Sequence, residues 1–278
     1  MFFHKNYFFR LYFALPVIIV HCLIWSVVYC FNVGFISEVE LDTSYMVLFT
    51  FYYTVLILLV WSYTMSTITD PGSIPENYKI EETEVNPDLE DSDMAKLSKA
   101  KRFCEKCDRH RPPRTHHCSL CNRCILKMDH HCPWIGNCVG FHNHRYFVQF
   151  LIYATIDCTL VGICCTSEFV KNNGDTNYYI YYGMVAGLGL GIMISALGGF
   201  HSWLLLSNWT SLELRPMDTY NVFDQGNWLK NLQQLCGKRL IGYILPIPTN
   251  KVGDGITYPI NTVQRPVKSE NSEAEPLY

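Results

Sequence analysis

CEKCDRHRPPRTHHCSLCNRCILKMDHHCPWIGNC, running from Cys104 to Cys138, holds seven cysteines and five histidines in 35 residues. A structural zinc ion closes its shell with four protein ligands, usually thiolates and imidazoles, so two such sites consume eight donors. Six cysteines and two histidines satisfy that sum and leave one cysteine over. The spare thiol falls in Asp129-His130-His131-Cys132, beside a carboxylate and an imidazole. A thiol with a base at hand reads as a nucleophile rather than a ligand. Residues 104–124 carry few large aliphatic side chains, so the segment has no apolar core of its own and metal has to supply its folding free energy.

The spacing sharpens this. Cys104-x-x-Cys107 and Cys118-x-x-Cys121 are two short knuckles, each able to bring two thiolates to one ion. How they combine with His117, Cys124, His131 and Cys138 is left open by spacing alone. A shell of four protein ligands has no position for water, so the expected role of the metal is structural. Around the spare thiol, Asp129, His130 and Cys132 are too close in sequence to face one another on a helix, and Pro133 pushes Cys132 towards extended backbone. The run is expected to be a loop pinned by ligands. There the His130 imidazole can reach the thiol, Asp129 can fix its tautomer, and the thiolate fraction rises.

Outside this segment the chain of 278 residues is dominated by four apolar stretches, at about 11–31, 45–68, 147–169 and 182–206, none containing Lys or Arg. Each has the roughly 20 residues that cross a bilayer core. The first is too long for the apolar region of a cleaved leader and lacks a clear cleavage site, so it is expected to be retained. Basic residues lie before the first span, between the second and third, and after the fourth, while residues 32–44 have none. That asymmetry predicts cytosolic termini and a cytosolic cysteine-rich segment, in a reducing compartment where clustered cysteines bind metal rather than pair. A net charge of −3 gives no support to a nucleic-acid partner. The expected class is an all-α membrane protein of four transmembrane helices, with a zinc-stabilised cysteine-rich domain between spans two and three.

Divided along the chain, residues 1–69 hold spans one and two, 70–100 a linker, 101–146 the zinc domain, 147–206 spans three and four, 207–248 a cytosolic contact segment and 249–278 a flexible tail. Residues 81–93 of the linker carry seven acidic and no basic side chains, whereas 96–146 carry eleven basic ones. The basic surface suits anionic lipid headgroups or a phosphate-bearing cofactor.

The cysteine-rich segment resembles the Asp-His-His-Cys (DHHC) family of membrane protein S-acyltransferases, the palmitoyltransferases. The likeness rests on His116-His117-Cys118, on the run from Lys127 through Asp129-His130-His131-Cys132 to Trp134, and on Asn137-Cys138-Val139-Gly140. Weaker likenesses support it: Asp70-Pro71-Gly72 after the second span, Thr210-Ser211-Leu212-Glu213 after the fourth with Ser in the second position, and Asn231, though Leu232 stands where an aromatic is common. The resemblance implies one zinc on Cys104, Cys107, His117 and Cys124, and a second on Cys118, Cys121, His131 and Cys138. It implies Cys132 as nucleophile, His130 as base and Asp129 as its orienting partner. It also implies a two-step transfer from a long-chain acyl-CoA to substrate proteins with juxtamembrane cysteines, in Golgi or ER membranes. Ser211 is expected to contact the Asp129 region. An accessory subunit is compatible with this reading and leaves no mark in the sequence.

Two other classes fit less well. A RING-type adaptor wants a closing Cys-x-x-Cys pair, and none follows Cys138 before the third span. A small transporter wants related repeats with broken helices, and the two span pairs show no such similarity. Within the spans, Gly183, Gly187, Gly191, Ser195 and Gly199 recur every fourth residue, which predicts close packing of the fourth helix on a neighbour. Trp25, Tyr52, Tyr53 and Trp61 are candidates to shape the end of an acyl cavity. Asp157, ionisable within the third span, is expected to be satisfied by a neighbouring polar group. Cys22, Cys30, Cys158, Cys164 and Cys165 are expected to pack, and Cys236 is a cytosolic thiol.

Overall fold

The computed structural model describes residues 7–40, 42–79, 103–214, 221–239 and 241–261. The acidic run 81–93 and the basic residues 96–102 lie outside them. Four long helices form the bundle: α1 (Tyr7–Phe31), α2 (Thr43–Ile68), α3 (His144–Lys171) and α4 (Tyr178–Leu206). All four are long and apolar enough to cross a membrane, the first as Ala14–Ile36. The second and fourth start earlier than apolarity alone predicts because polar side chains cap them. Asp42 Oδ1 accepts from Tyr45 N at 2.9 Å and Asn177 Oδ1 from Ile180 N at 3.0 Å, satisfying first-turn donors. The first span also ends later, because a single π turn at Asn32–Ile36 continues α1.

Glycines let α3 and α4 touch. A Cβ on Gly187 would stand 2.6 Å from Gly162 N and 2.8 Å from Cys158 O, and one on Gly183 would stand 2.7 Å from Cys165 Sγ. Three positions of the expected stripe, Gly183, Gly187 and Gly191, make the contact, and two do not. A four-residue step overshoots a turn by about 40°, so the row drifts off the interface. Ser195 is exposed and Gly199 faces open space, while Gly198 takes up the contact against Leu151.

Three of the four aromatics expected to shape a cavity point outward, Trp25 at 52%, Tyr53 at 40% and Trp61 at 39% exposure, and only Tyr52 is buried. Asp157 also departs from expectation. It is buried, yet its Oδ1 has no hydrogen-bond partner, nor has the Tyr52 hydroxyl. Cys30, Cys158, Cys164 and Cys165 are buried as expected, whereas Cys22 is exposed on the bundle surface.

Between α2 and α3 the chain folds into three small antiparallel hairpins: β1 (Phe103–Cys104) with β2 (Arg109–His110), β3 (His116–Cys118) with β4 (Arg123–Ile125), and β5 (His130–Cys132) with β6 (Asn137–Val139). Asparagine side chains peg them to the end of α2. Asn137 Nδ2 donates to Thr67 O and Thr69 O at 3.1 and 2.9 Å, and Asn143 Nδ2 to Ser66 O and Cys138 O at 3.1 and 2.8 Å. Asp70-Pro71-Gly72 completes the joint. Leu126 N donates to Gly72 O and His142 N to Pro71 O, both at 3.1 Å, while Arg123 pairs with Asp70 at 2.8 Å. Gly140 is required here, since a Cβ would meet Pro71 O at 2.8 Å.

A buried clamp joins the hairpins to the chain beyond α4. Arg114 Nε and Nη2 grip Glu213 at 2.7 and 2.8 Å, and Nη1 donates to Asn208 Oδ1 at 2.9 Å, which also accepts from Lys127 Nζ at 2.9 Å. The guanidinium lies 4.5 Å from the Phe223 ring and 5.2 Å from that of Tyr258. Helices α5 (Trp228–Cys236) and α6 (Ile241–Ile244) follow. In α5, Asn231 ties Leu206 O and Asp224 Oδ1 together at 2.8 and 2.7 Å. The stretch expected to be a free tail from residue 249 begins as a packed strap. Lys251 Nζ donates to Phe141 O at 2.9 Å and Asn261 N to Val222 O at 2.8 Å; residues 262–278 lie outside the described ones.

Two outcomes follow from this packing. Gly187→Leu should lower the detergent-solubilised melting temperature by several degrees, an overpacking cost of about 1–3 kcal/mol, while Gly189→Leu, whose Cβ meets nothing within 4 Å, should leave it unchanged. Burial pushes the Glu213 carboxyl up, but the Arg114 charge and its hydrogen bonds outweigh that and hold it below its ordinary 4.5. A carboxyl depressed on folding stabilises above its unfolded pKa and loses that contribution as pH falls through the folded one. Melting measured from pH 7 down to 3 should therefore fall less steeply for Glu213→Gln than for wild type, from a starting stability about 2–3 kcal/mol lower.

Candidate active site and metal centres

Each knuckle closes by a turn that ends in a left-handed residue, Asp108 after Cys107 (φ 50°) and Asn122 after Cys121 (φ 50°), both of types that tolerate that conformation. The hairpins then distribute donors by strand alternation, since successive side chains point to opposite faces. His117 lies opposite Cys124 on β3–β4, and these two join Cys104 and Cys107. Neighbouring Cys118 points the other way and joins Cys121, His131 and Cys138, the last two opposite each other on β5–β6. Within each set the donor atoms lie within 4.8 Å of one another.

Their separations fit a metal. His117 Nδ1 is 3.6 Å from Cys104 Sγ and 3.2 Å from Cys107 Sγ, and Cys124 Sγ is 3.7 Å from Cys107 Sγ. In the second set His131 Nδ1 stands 3.7, 3.4 and 3.5 Å from Cys118, Cys121 and Cys138. The edge of a tetrahedron with metal–sulfur bonds of ~2.3 Å is ~3.8 Å, and every cysteine is free of disulfide. Each cluster can hold one metal ion.

The same alternation that turns His131 into the second cluster places His130 and Cys132 together on the other face of β5. The expected loop is thus a short strand, with Cys132 extended at φ −108° and ψ 110° before Pro133–Ile135 turn the chain. Cys132 is 6% exposed and packs in the cluster of Ile135, Val139 and Phe147 that continues into the helix bundle. Tyr63 steadies the turn, donating to Trp134 O at 2.9 Å. Asp129 is fully buried. Its Oδ2 receives His130 Nδ1 at 2.6 Å, while Ser211 donates from N to Oδ1 at 2.9 Å and from Oγ to the backbone oxygen at 2.7 Å. Thr210 N in turn donates to Glu213 at 2.9 Å, which links this contact to the Arg114 clamp. Burial opposes charge on His130, but hydrogen bonding to Asp129 and Cys132 prevails and raises it to about 9. Burial also opposes charge on Asp129, which its contacts with His130, His144 and Ser211 nevertheless hold below the usual carboxylate range.

One neighbour of this pair escapes a reading of the sequence. His201 of α4 lies 3.8 Å from Asp129 Oδ2 through its Nδ1, although 72 positions separate the two residues. The only sequence signal was an imidazole at the end of an apolar span. Cys236, by contrast, is buried, and burial pushes its thiol up to about 11 despite Arg145, Lys251 and Lys127 nearby.

The family model described as DHHC palmitoyltransferase matches residues 97–216. Among curated proteins, Palmitoyltransferase ZDHHC15 of Homo sapiens is 30% identical over 277 aligned positions, covering 88% of this chain and 81% of its own. Probable protein S-acyltransferase 13 of Arabidopsis thaliana is 34% identical, covering 72% and 71%. Palmitoyltransferase pfa3 of Schizosaccharomyces pombe is 34% identical, covering 78% and 68%. With four membrane-length helices and two Cys/His metal clusters between the second and third, the chain belongs to the DHHC palmitoyltransferase family and is an integral membrane protein S-acyltransferase.

Proposed function

We propose that the protein moves a long-chain fatty acyl group, palmitoyl foremost, from acyl-CoA to Cys132 and then to cysteine thiols of substrate proteins. The observation that carries this reading is the place of Cys132. It is the one cysteine of the segment outside both four-donor clusters, and it shares a strand face with His130, whose Nδ1 is held 2.6 Å from Asp129. Zinc is the metal proposed for both clusters, because three thiolates and one imidazole suit it. A closed shell leaves those ions to hold the fold and has no part in the bond changes.

In the first step the Cys132 proton rests on His130 Nε2, whose raised basicity holds it there, and the Cys132 thiolate attacks the thioester carbonyl carbon of acyl-CoA. The carbon–sulfur bond to CoA breaks, and His130 returns the proton to the departing CoA thiolate. In the second step a substrate cysteine gives its proton to His130, attacks the acyl-Cys132 carbonyl and frees Cys132, which recovers the proton. One thioester replaces another throughout, so no other energy source is needed. Asp129 keeps the Nδ1 proton on His130 in place and stabilises the imidazolium formed in each step. Ser211 holds that carboxylate from the end of α4.

The setting supports a lipid substrate. Helix α3 begins at His144, twelve residues after Cys132, so an acyl chain can stay in hydrocarbon while its thioester meets the thiol. The basic asymmetry of the loops supports cytosolic termini and a cytosolic metal domain, and the family likeness supports Golgi or ER membranes. We assign residues 70–100 to a linker, 101–146 to the metal domain and 207–248 to a contact segment that clamps it.

Purified protein in detergent with labelled palmitoyl-CoA tests the reading. Wild type should acquire a hydroxylamine-sensitive label, Cys132→Ser none, and His130→Ala should label ~100-fold more slowly. Equal labelling of wild type and Cys132→Ser would show that another thiol is modified. Elemental analysis should give two zinc ions per chain, falling to one in Cys138→Ala with a lower melting temperature; two ions retained in that variant would remove Cys138 from the ligands.

A further inference from the structure

Besides the buried His144 nearby, three side chains approach the Asp129 carboxylate, and the mechanism above uses two of them. Ser211 meets it from the end of α4, and His130 donates to Oδ2. The third neighbour is His201, 4% exposed, whose Nδ1 stands 3.8 Å from that same Oδ2 and has no hydrogen-bond partner. The His201 ring lies 5.3 Å from that of His130, inclined by 34°. Phe147 sets its edge against both imidazoles, at 5.1 Å from His201 and 5.4 Å from His130. One side of His130 is therefore walled by His201 and Phe147, while the ring keeps 30% of its side chain open to the approach of a substrate.

A buried polar nitrogen left without a partner costs about 1–3 kcal/mol, so its placement calls for a reason. The carboxylate supplies one. A lone pair on Nδ1 would face the anionic Oδ2 and be repelled, whereas an N–H there is attracted, and a ring shift of about 1 Å brings it into hydrogen-bond range. A neutral His201 adds no second positive charge beside the imidazolium that His130 becomes.

We propose that His201 is a positioning residue for the Asp129–His130 pair. It acts as a neutral imidazole whose Nδ1–H is directed at Asp129 Oδ2, adding a third donor to the oxygen that His130 and Ser211 Oγ already reach, and holding the His130 ring towards Cys132. Its contribution grows as His130 takes the thiol proton, when any rotation of the pair would misplace the base. Fourth-helix packing and transfer chemistry are thereby coupled through one side chain. The inference rests on the proposed roles of Cys132, His130 and Asp129.

The test separates the nitrogen from the ring. His201→Phe keeps an aromatic wall and removes the N–H, whereas His201→Asn keeps a donor at the same distance from the backbone and removes the ring. The rate of acyl-enzyme formation is followed against palmitoyl-CoA concentration for wild type, both variants and Cys132→Ser, with zinc content measured on each. The expected result is a maximal rate about tenfold lower for His201→Phe, or ~1.4 kcal/mol, at unchanged KM and two zinc ions per chain. His201→Asn should stay within about threefold of wild type. His201→Phe at the wild-type rate would overturn the inference. So would His201→Asn falling as far as His201→Phe, or zinc loss in both, since either outcome makes the ring a packing element. A label that persists in Cys132→Ser overturns the reading on which the inference rests, and is told apart by wild type and Cys132→Ser alone.

Discussion

Convergence of eight donors from three short hairpins is the constraint on which the rest of the molecule depends. Strands of two or three residues have almost no ladder to hold them and little apolar surface to bury. Their register is meaningful because each cross-strand pair, His117 with Cys124 and His131 with Cys138, falls at a metal cluster. With zinc bound as proposed, metal–ligand bonds replace the missing core. The alternation of a β-strand does the remaining work. When His131 turns inward to a cluster, His130 and Cys132 must turn outward together.

That outward face is useful only because the metal domain is fixed to the membrane bundle. Asn137 at the start of β6 and Asn143 just before α3 accomplish this, both reaching carbonyls at the end of α2 that a helix terminus leaves unsatisfied. Beyond α4, Ser211 and Glu213 close the other side, one on Asp129 and one on Arg114. The spare thiol is thus held between two helix ends. The proposed transfer, from an acyl-CoA to a protein thiol, needs its nucleophile at that boundary.

Much of this was legible in the chain. The count of donors in 104–138 exposed the odd thiol, and four apolar stretches without Lys or Arg marked the bundle. Hairpins so short carry no periodic signal, and so the 129–132 run read as a loop. The face shared by His130 and Cys132, which explains the spacing, became visible only with the strand. The glycine row was read correctly as a packing surface but not in its extent, because a four-residue period cannot stay on one side of a helix with 3.6 residues per turn. His201, Asn208 and the strap from residue 249 lay beyond reach for another reason. Their partners are distant in sequence, and a lone histidine or asparagine near an apolar stretch has no pattern to mark it.

The central claim is that the two clusters use three sulfurs and one nitrogen each and thereby leave Cys132 free. Zinc K-edge X-ray absorption on the purified protein tests it most directly. The account predicts an average shell of three sulfurs at ~2.3 Å and one nitrogen at ~2.0–2.1 Å, unchanged in Cys132→Ser. A sulfur count above three per zinc that falls when Cys132 is replaced would make Cys132 a ligand and contradict the account.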